Sequence, residues 1–226
     1  MKQFCEYDTV IFDCDGVLFD SNFFKEEAFL FIAIKYGDES GLLMKKILHQ
    51  FSGSSRYIIL KKFTECCRGF SLSVPNVNDL LNEFSNICLK KYKACESTAS
   101  LNELSNMSRA NWMVVSSSDQ AELRGIFSEL DISKYFKGGI YGSPCSKFEI
   151  IDREILNDLK NKSVIYFGDG QVDIDVCEKY SFDMIFLTDW SGLREYNRVL
   201  SATTIEAVNS LDCYTQLQKK LKDHQN

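Results

Sequence analysis

Asp13 and Asp15 stand two residues apart at the end of an apolar run, Thr9-Val10-Ile11-Phe12. At that spacing in an extended segment both side chains can point the same way. Two carboxylates at the end of a buried strand are costly to desolvate unless something compensates. A magnesium ion and a reacting phosphoryl group would compensate, one carboxylate attacking phosphorus while the other serves the leaving oxygen. Gly16 follows and allows a sharp departure of the backbone. The same Asp-x-Asp-Gly pattern also fits an ordinary acidic turn, so the remaining residues must decide.

Three further clusters offer matching chemistry. Ser116-Ser117-Ser118 follows the run 112–115 and precedes a helical pattern. Hydroxyls and backbone N–H groups at a helix start make an anion site, although Ser118 or Asp119 could equally serve as a plain helix cap. Lys147 opens a helical segment just after Gly142-Ser143-Pro144. A lysine there opposes the helix dipole, which fits a role in holding phosphate or neutralising Asp13; a solvated surface charge is the plain alternative. The stretch Gly168-Asp169-Gly170-Gln171-Val172-Asp173 follows another apolar run and puts Asp169 and Asp173 on the rim that Asp13 occupies. Several carboxylates without a cluster of thiols or imidazoles suit a hard cation, magnesium above all. Asp175 reads as a solvated helix residue.

These residues need elements to position them. Apolar runs at 10–12, 112–115, 164–167 and 184–187 alternate with helical patterns at 121–130, 147–159, 172–180 and 214–221. Strand-helix alternation with fully apolar strands predicts an α/β fold whose parallel sheet is covered on both faces. In such open sheets ligands bind beyond the carboxyl ends of the strands, where Asp13, Ser116 and Asp169 fall. Residues 21–94 differ: helix-period apolar residues at 21–36, 39–50, 54–67 and 77–94 predict an all-helical insert after the first strand. Two chain crossings would let this block move over the rim as a lid; a fixed helical decoration is the other reading.

Composition removes other classes. The 226 residues carry a net charge of −6 and no Lys/Arg cluster, which argues against nucleic acid as a partner. No apolar run approaches membrane-spanning length, and the short stretch before the first strand leaves no room for a signal peptide. The nine cysteines are scattered without a C-x-x-C pair, as in a cytoplasmic protein with reduced thiols. With two histidines and no thiol framework, zinc is disfavoured.

Four segments, in order, resemble the motifs of the haloacid dehalogenase-like superfamily. They are the stretch from Ile11 to Ser21, Val114-Val115-Ser116, Gly142-Ser143-Pro144 with Lys147, and Gly168-Asp169 with Asp173. The likeness is to the phosphatase and β-phosphoglucomutase branch with a helical cap. It implies a Rossmann-like three-layer core from 1–20 and 95–226 and a cap at 21–94. It also implies roles: Asp13 as nucleophile forming an aspartyl-phosphate, and Asp15 as the acid and base for the leaving alcohol and the attacking water. Ser116, with Ser117 beside it, and Lys147 would hold the phosphoryl oxygens. Mg2+ would be bound by Asp13, the backbone carbonyl of Asp15, Asp169 and Asp173. The second acid, Asp15, points away from dehalogenation. On this reading Asp15 starts protonated, its pKa raised by neighbouring anions, and Asp13 stays ionised.

The cap stretch Gly53-Ser54-Ser55-Arg56 resembles a loop that meets substrate in sugar-phosphate members, so Arg56 could fork onto a second phosphate or a carboxylate. Lys25 stands where the mutases carry a histidine, and it is a second candidate to meet substrate. The Pro-Gly turn usual before the second motif is replaced by Cys95-Glu96-Ser97-Thr98, and Gly170 replaces a Ser or Thr. Ser100-Leu101-Asn102-Glu103 predicts a capping box. The expected protein is a cytoplasmic Mg2+-dependent phosphatase acting on a small phosphorylated metabolite, a sugar phosphate in particular. A sugar phosphomutase and an idle binding module of the same fold are the alternatives. Oligomeric state is left open.

Overall fold

A computed structural model describes residues 2–69 and 75–223. Along the chain lie β1 (Thr9–Phe12), α1 (Asn22–Ile34), α2 (Asp38–Gln50), α3 (Arg56–Gly69), α4 (Val77–Tyr92) and α5 (Leu101–Ser105). Then come β2 (Asn111–Asp119), α6 (Gln120–Glu129), β3 (Gly139–Ser143), α7 (Lys147–Ile150), β4 (Val164–Gly168) and α8 (Gln171–Tyr180). The chain finishes with β5 (Asp183–Leu187), α9 (Tyr196–Leu200), β6 (Glu206–Val208) and α10 (Leu211–Asp223).

The strands form one parallel sheet in the order β3-β2-β1-β4-β5-β6. This is a Rossmann-like order, in which the chain reverses direction across the sheet beside the first strand. Phe12 is level with Val114 of β2 and Phe167 of β4, so Asp13 emerges between the ends of both neighbours. Its N–H donates to the Phe167 carbonyl at 2.9 Å, which extends the ladder one residue beyond the strand.

Period-two alternation sorts each strand onto two apolar layers. Val10, Phe12, Trp112, Val114, Ile165 and Phe167 face one side; Ile11, Met113, Val115, Tyr166 and Phe186 face the other, under Ile150, Ile151, Ile155 and Ile174. Helices therefore cover both faces of the sheet, the three-layer α/β arrangement that the fully apolar runs predicted.

Several elements depart from the sequence reading. The helix expected over 147–159 is α-helical only through Ile150; a π turn follows at Ile151–Ile155, closed by Leu156 N–H to the Ile151 carbonyl at 2.8 Å. Ile150, Ile151 and Ile155 are all buried across this wider turn. β3 and β6 went unread because β3 is Gly-Ile-Tyr-Gly-Ser and β6 is three residues, two of them exposed. The capping box at Ser100 does not form. Its hydroxyl instead meets Thr98 and accepts from Thr215, while Asp212 takes its N–H at 2.9 Å.

The insert between β1 and β2 is α1 to α4. Helix α1 packs on α2 and α4, and α3 packs on α2 and α4. Ile32, Met44, Leu60, Phe63 and Phe84 fill the space between them. That apolar cluster is continuous with the sheet through Leu18, Phe19 and Tyr92; the Phe19 and Tyr92 rings meet edge to face at 5.5 Å. The two chain crossings run side by side. Asp20 N–H donates to the Glu96 carbonyl at 2.9 Å, Thr98 N–H to the Leu18 carbonyl at 3.0 Å, and Phe19 bridges Ser97 antiparallel.

Candidate active site

Asp13, Lys147, Asp169 and Asp173 meet at the carboxyl ends of the central strands. Lys147 Nζ lies 2.8 Å from Asp13 and 2.5 Å from Asp173, with its side chain 3% exposed. It is the first residue of α7, whose start is secured by a reciprocal box between Ser146 and Glu149. The local misfit of a lysine at a helix start is explained by these two acids. Burial disfavours its charge, yet Asp13 and Asp173 more than offset this and hold its pKa above the ordinary lysine value.

Asp173 is saturated. One oxygen accepts from Lys147 and from Tyr166 Oη at 2.8 Å; the other accepts the N–H groups of Asp169 at 3.2 Å and Gly170 at 3.1 Å. It ties the lysine to the β4–α8 turn. Asp169 is held from outside by Asn22 Nδ2 at 2.8 Å and Gly192 N–H at 3.0 Å, both onto the same oxygen. Gly16 makes room for this approach: its φ is +76°, and a Cβ there would sit 2.3 Å from that oxygen of Asp169.

Carboxylate oxygens of Asp13, Asp169 and Asp173 all lie within 4.8 Å of one another, and the three residues are buried. Burial, only partly opposed by Lys147, pushes Asp13 up to about 7. Burial, then Asp13 and Asp173, push Asp169 well above the usual carboxylate range. This is buried negative charge in excess of its one lysine, with an all-oxygen donor set. It fits a hard divalent cation such as magnesium.

Asp15 has a different environment. Lys25 Nζ donates to it at 2.5 Å and Ser118 Oγ at 2.6 Å, and the hydroxyls of Ser21 and Tyr92 also donate. Burial raises its pKa, but the Lys25 charge and the donated hydrogen bonds win and hold it well below the ordinary range. The expectation of a protonated Asp15 is therefore overturned, while Asp13, expected to stay ionised when it faces a cation, holds its proton more tightly in the metal-free site. The expectation for Asp15 counted the neighbouring anions and missed the cation and hydroxyls that the cap and the serine run bring to it.

The other expected residues fall as follows. Ser117 and Ser118 line the cavity, whereas Ser116 is fully buried off its wall and accepts from Ser118 N–H at 3.1 Å. Ser117 Oγ donates to the Gly53 carbonyl of the cap at 2.8 Å. Asp119 caps α6 through Glu122 N–H and accepts from Tyr57 Oη at 2.6 Å. Arg56 does not present an open fork: its side chain is 3% exposed and bound to Glu122 at 2.7 Å and Ser85 at 3.0 Å. Among residues the sequence did not single out, Asn22, Tyr92, Tyr166 and Gly192 all touch the site. A polar residue at the start of the first cap helix was the one available signal, for Asn22. A cavity of about 410 Å³ opens over the aspartates between the core and α1 to α4.

A family model for haloacid dehalogenase-like hydrolases matches residues 10–187, from β1 through β5. The chain belongs to this family. As a haloacid dehalogenase-like hydrolase it is similar in fold to β-phosphoglucomutase from Clostridium difficile, at 18% identity and a TM-score of 0.66, covering 96% of this chain and 98% of that one. It is also similar to CbbY from Rhodobacter sphaeroides, solved with phosphate, at 11% identity and a TM-score of 0.66 over 91% and 95% of the two chains. A predicted phosphatase from Clostridium acetobutylicum shares 21% identity at a TM-score of 0.61 over 96% and 99%. No curated protein matches the sequence. At these identities the solved structures establish the fold of this haloacid dehalogenase-like hydrolase, including its helical cap.

Proposed function

We propose that this hydrolase is a Mg2+-dependent phosphatase that releases phosphate from a small phosphorylated metabolite, a sugar phosphate in particular. The observation that carries the reading is the buried set of Asp13, Lys147, Asp169 and Asp173 at the point where the sheet order reverses. Asp13 and Asp169 would hold the cation, with the Asp15 carbonyl and, since its own oxygens are occupied, Asp173 through water. When bound, the cation neutralises charge on the phosphoryl oxygens and the attacking carboxylate.

The residues of the chain do the rest. Lys147, with Ser117 and Ser118 on the cavity wall, orients the phosphoryl group. An Asp13 oxygen bonds to phosphorus as the ester P–O bond breaks, and the leaving oxygen takes a proton from the Asp15–Lys25 pair. A water then returns a proton to the Asp15–Lys25 pair while its oxygen bonds to phosphorus, and the bond to Asp13 breaks. The proton lost in the first half is regained in the second.

Two features favour hydrolysis over phosphomutase chemistry. Lys25 stands where a mutase carries a histidine, and Arg56 is tied to Glu122 instead of waiting for a second phosphate. The nine free thiols support a cytoplasmic location, and no described helix is long and apolar enough to cross a membrane. Phosphate release from a panel of metabolite monoesters with Mg2+ tests the reading. Turnover by the wild type and its loss in Asp13→Asn are expected; an inactive wild type, or an Asp13→Asn variant as active as wild type, would overturn it.

A further inference from the structure

We infer that the preferred substrate is the monophosphate ester of an uncharged alcohol, and that substrates carrying a second phosphate or a carboxylate are selected against. The inference rests on the phosphatase reading and concerns the half of the cavity that receives the leaving group.

Seven carboxylates and four cations line the cavity. Among the described residues, every one of those four cations already faces an acid. Lys147 is bound to Asp13 and Asp173, and Lys25 to Asp15. Arg56 is bound to Glu122, and Arg194, 84% exposed, meets Glu26 at 3.2 Å. The Asp13 side of the cavity has a balance: a divalent cation and Lys147 can offset its acids and one phosphoryl group. The leaving-group side has no buried cation to spare, and Arg194 stands at its solvent-exposed rim.

Arg56 is decisive because it is the cap's one buried cation of fork geometry on this wall. Its guanidinium lies 4.7 Å from the Phe84 ring centre and uses Nη1 for Ser85 and Glu122. Nη2 has no partner, but it is sealed from solvent, as is the second oxygen of Glu122. A ligand anion could reach Arg56 only by displacing Glu122, leaving that acid without its cation in a partly buried place. Breaking such a pair is expensive. Meanwhile Asp20, Glu26 and Asp189 add acid to the cavity wall. A second anion would then lose hydration without gaining a counter-charge.

The remaining surface suits a neutral group. Phe23, Phe51, Trp190 and Leu193 line it, with Ser52 and Ser54 as hydrogen-bonding groups. A sugar or other polyol with one phosphate satisfies this wall. A bisphosphate or a phosphorylated carboxylic acid does not.

The test compares kcat/KM, with Mg2+, for two sets of esters. Glycerol 1-phosphate and glucose 6-phosphate have uncharged alcohol leaving groups; phosphoglycolate and fructose 1,6-bisphosphate carry a second anion. The best neutral ester should exceed both of the others by about tenfold or more, the discrimination expected when a charge is left unpaired in a site. The Glu122→Gln variant, checked for folding by its melting curve, releases Arg56 and should narrow that ratio several-fold. Equal or better turnover of the doubly anionic esters by the wild type overturns the inference while leaving the phosphatase reading intact. So does a ratio unchanged in a folded Glu122→Gln protein. No turnover of any ester overturns the phosphatase reading itself, and the inference falls with it.

Discussion

Asn22 begins the first cap helix, yet its Nδ2 is 2.8 Å from Oδ2 of Asp169, a core residue 147 positions away. The same nitrogen donates to the Trp190 carbonyl at 2.8 Å. The cap thus reaches past the β1 loop and fixes which oxygen of Asp169 is occupied and which is left for a cation. Asn22→Ala should weaken Mg2+ binding by about tenfold to a hundredfold, the usual cost of losing a residue that orients a metal ligand. Titrating Mg2+ against the melting temperature measures this without reference to turnover.

Gly16 sets a stricter condition on the same carboxylate. An alanine there must adopt a φ of +76° and place its Cβ 2.3 Å from Asp169 Oδ2 and 2.5 Å from Asn22 Nδ2. The backbone conformation alone costs about 1–2 kcal/mol for an L side chain. Gly16→Ala should therefore lose Mg2+ affinity more severely than Asn22→Ala while keeping the sheet, as read by far-UV circular dichroism.

The carboxylates also give the metal-free protein an unusual pH response. Asp13 is pushed up to about 7 from an ordinary value of 3.8, so the folded state holds its proton more tightly than the unfolded chain. Stability from this group is complete below 3.8 and is lost as pH rises through about 7, at up to about 1.4 kcal/mol per pH unit. Asp15 is depressed, so its contribution is present above 3.8 and lost only in stronger acid, outside this window. With EDTA the wild type should melt lower at pH 7 than at pH 5, and Asp13→Asn should weaken this trend, the part that remains belonging to Asp169, which burial also pushes up. Added Mg2+ should stabilise the wild type more at pH 7 than at pH 5, because protons compete for the same oxygens.

Lys25 is the principal reason that Asp15 is held ionised, against burial. Replacing it with methionine removes the charge but retains an unbranched stem. Asp15 should then titrate higher, moving the acid limb of the kcat profile upward and lowering kcat by about tenfold to a hundredfold near neutrality. A profile that does not move would show that Lys25 takes no part in handling the proton.

Arg56 and Glu122 join α3 to α6, cap to core, with side chains 3% and 15% exposed. Arg56→Ala strands Glu122 and should cost about 3 kcal/mol in urea unfolding, the scale for breaking a buried pair from one side. Surface pairs such as Lys62 with Glu65, both over 40% exposed, should contribute almost nothing by the same assay.

What could be read from residues alone was local. Asp13, Asp169 and Lys147 each lie within a residue or two of a strand end or helix start, so short-range patterns found them and the parallel sheet brought them together. Lys25 and Tyr92 come from opposite ends of the cap to Asp15, and nothing local specifies how α1 and α4 lie over the sheet. The low titration of Asp15 follows directly from that omission. Arg56 failed as an open fork for a related reason: its partner, Glu122, is 66 positions away on a helix legible only as amphipathic. β3 carries two glycines, so the pairing it gains from β2 outweighs a weak intrinsic preference.

The paired crossings at Phe19–Asp20 and Glu96–Thr98 make residues 21–95 an exchangeable cassette. Both ends of the insert sit at hydrogen-bond distance on the core, so a few-residue turn spans them with β1 and β2 unmoved. Asp13, Lys147, Asp169 and Asp173 all lie outside the cassette, whereas Lys25, Tyr92 and Arg56 lie within it. Mutation and recombination can therefore rewrite the cap's face of the cavity, and on the proposed mechanism the leaving groups it accepts, without altering the core residues beneath it.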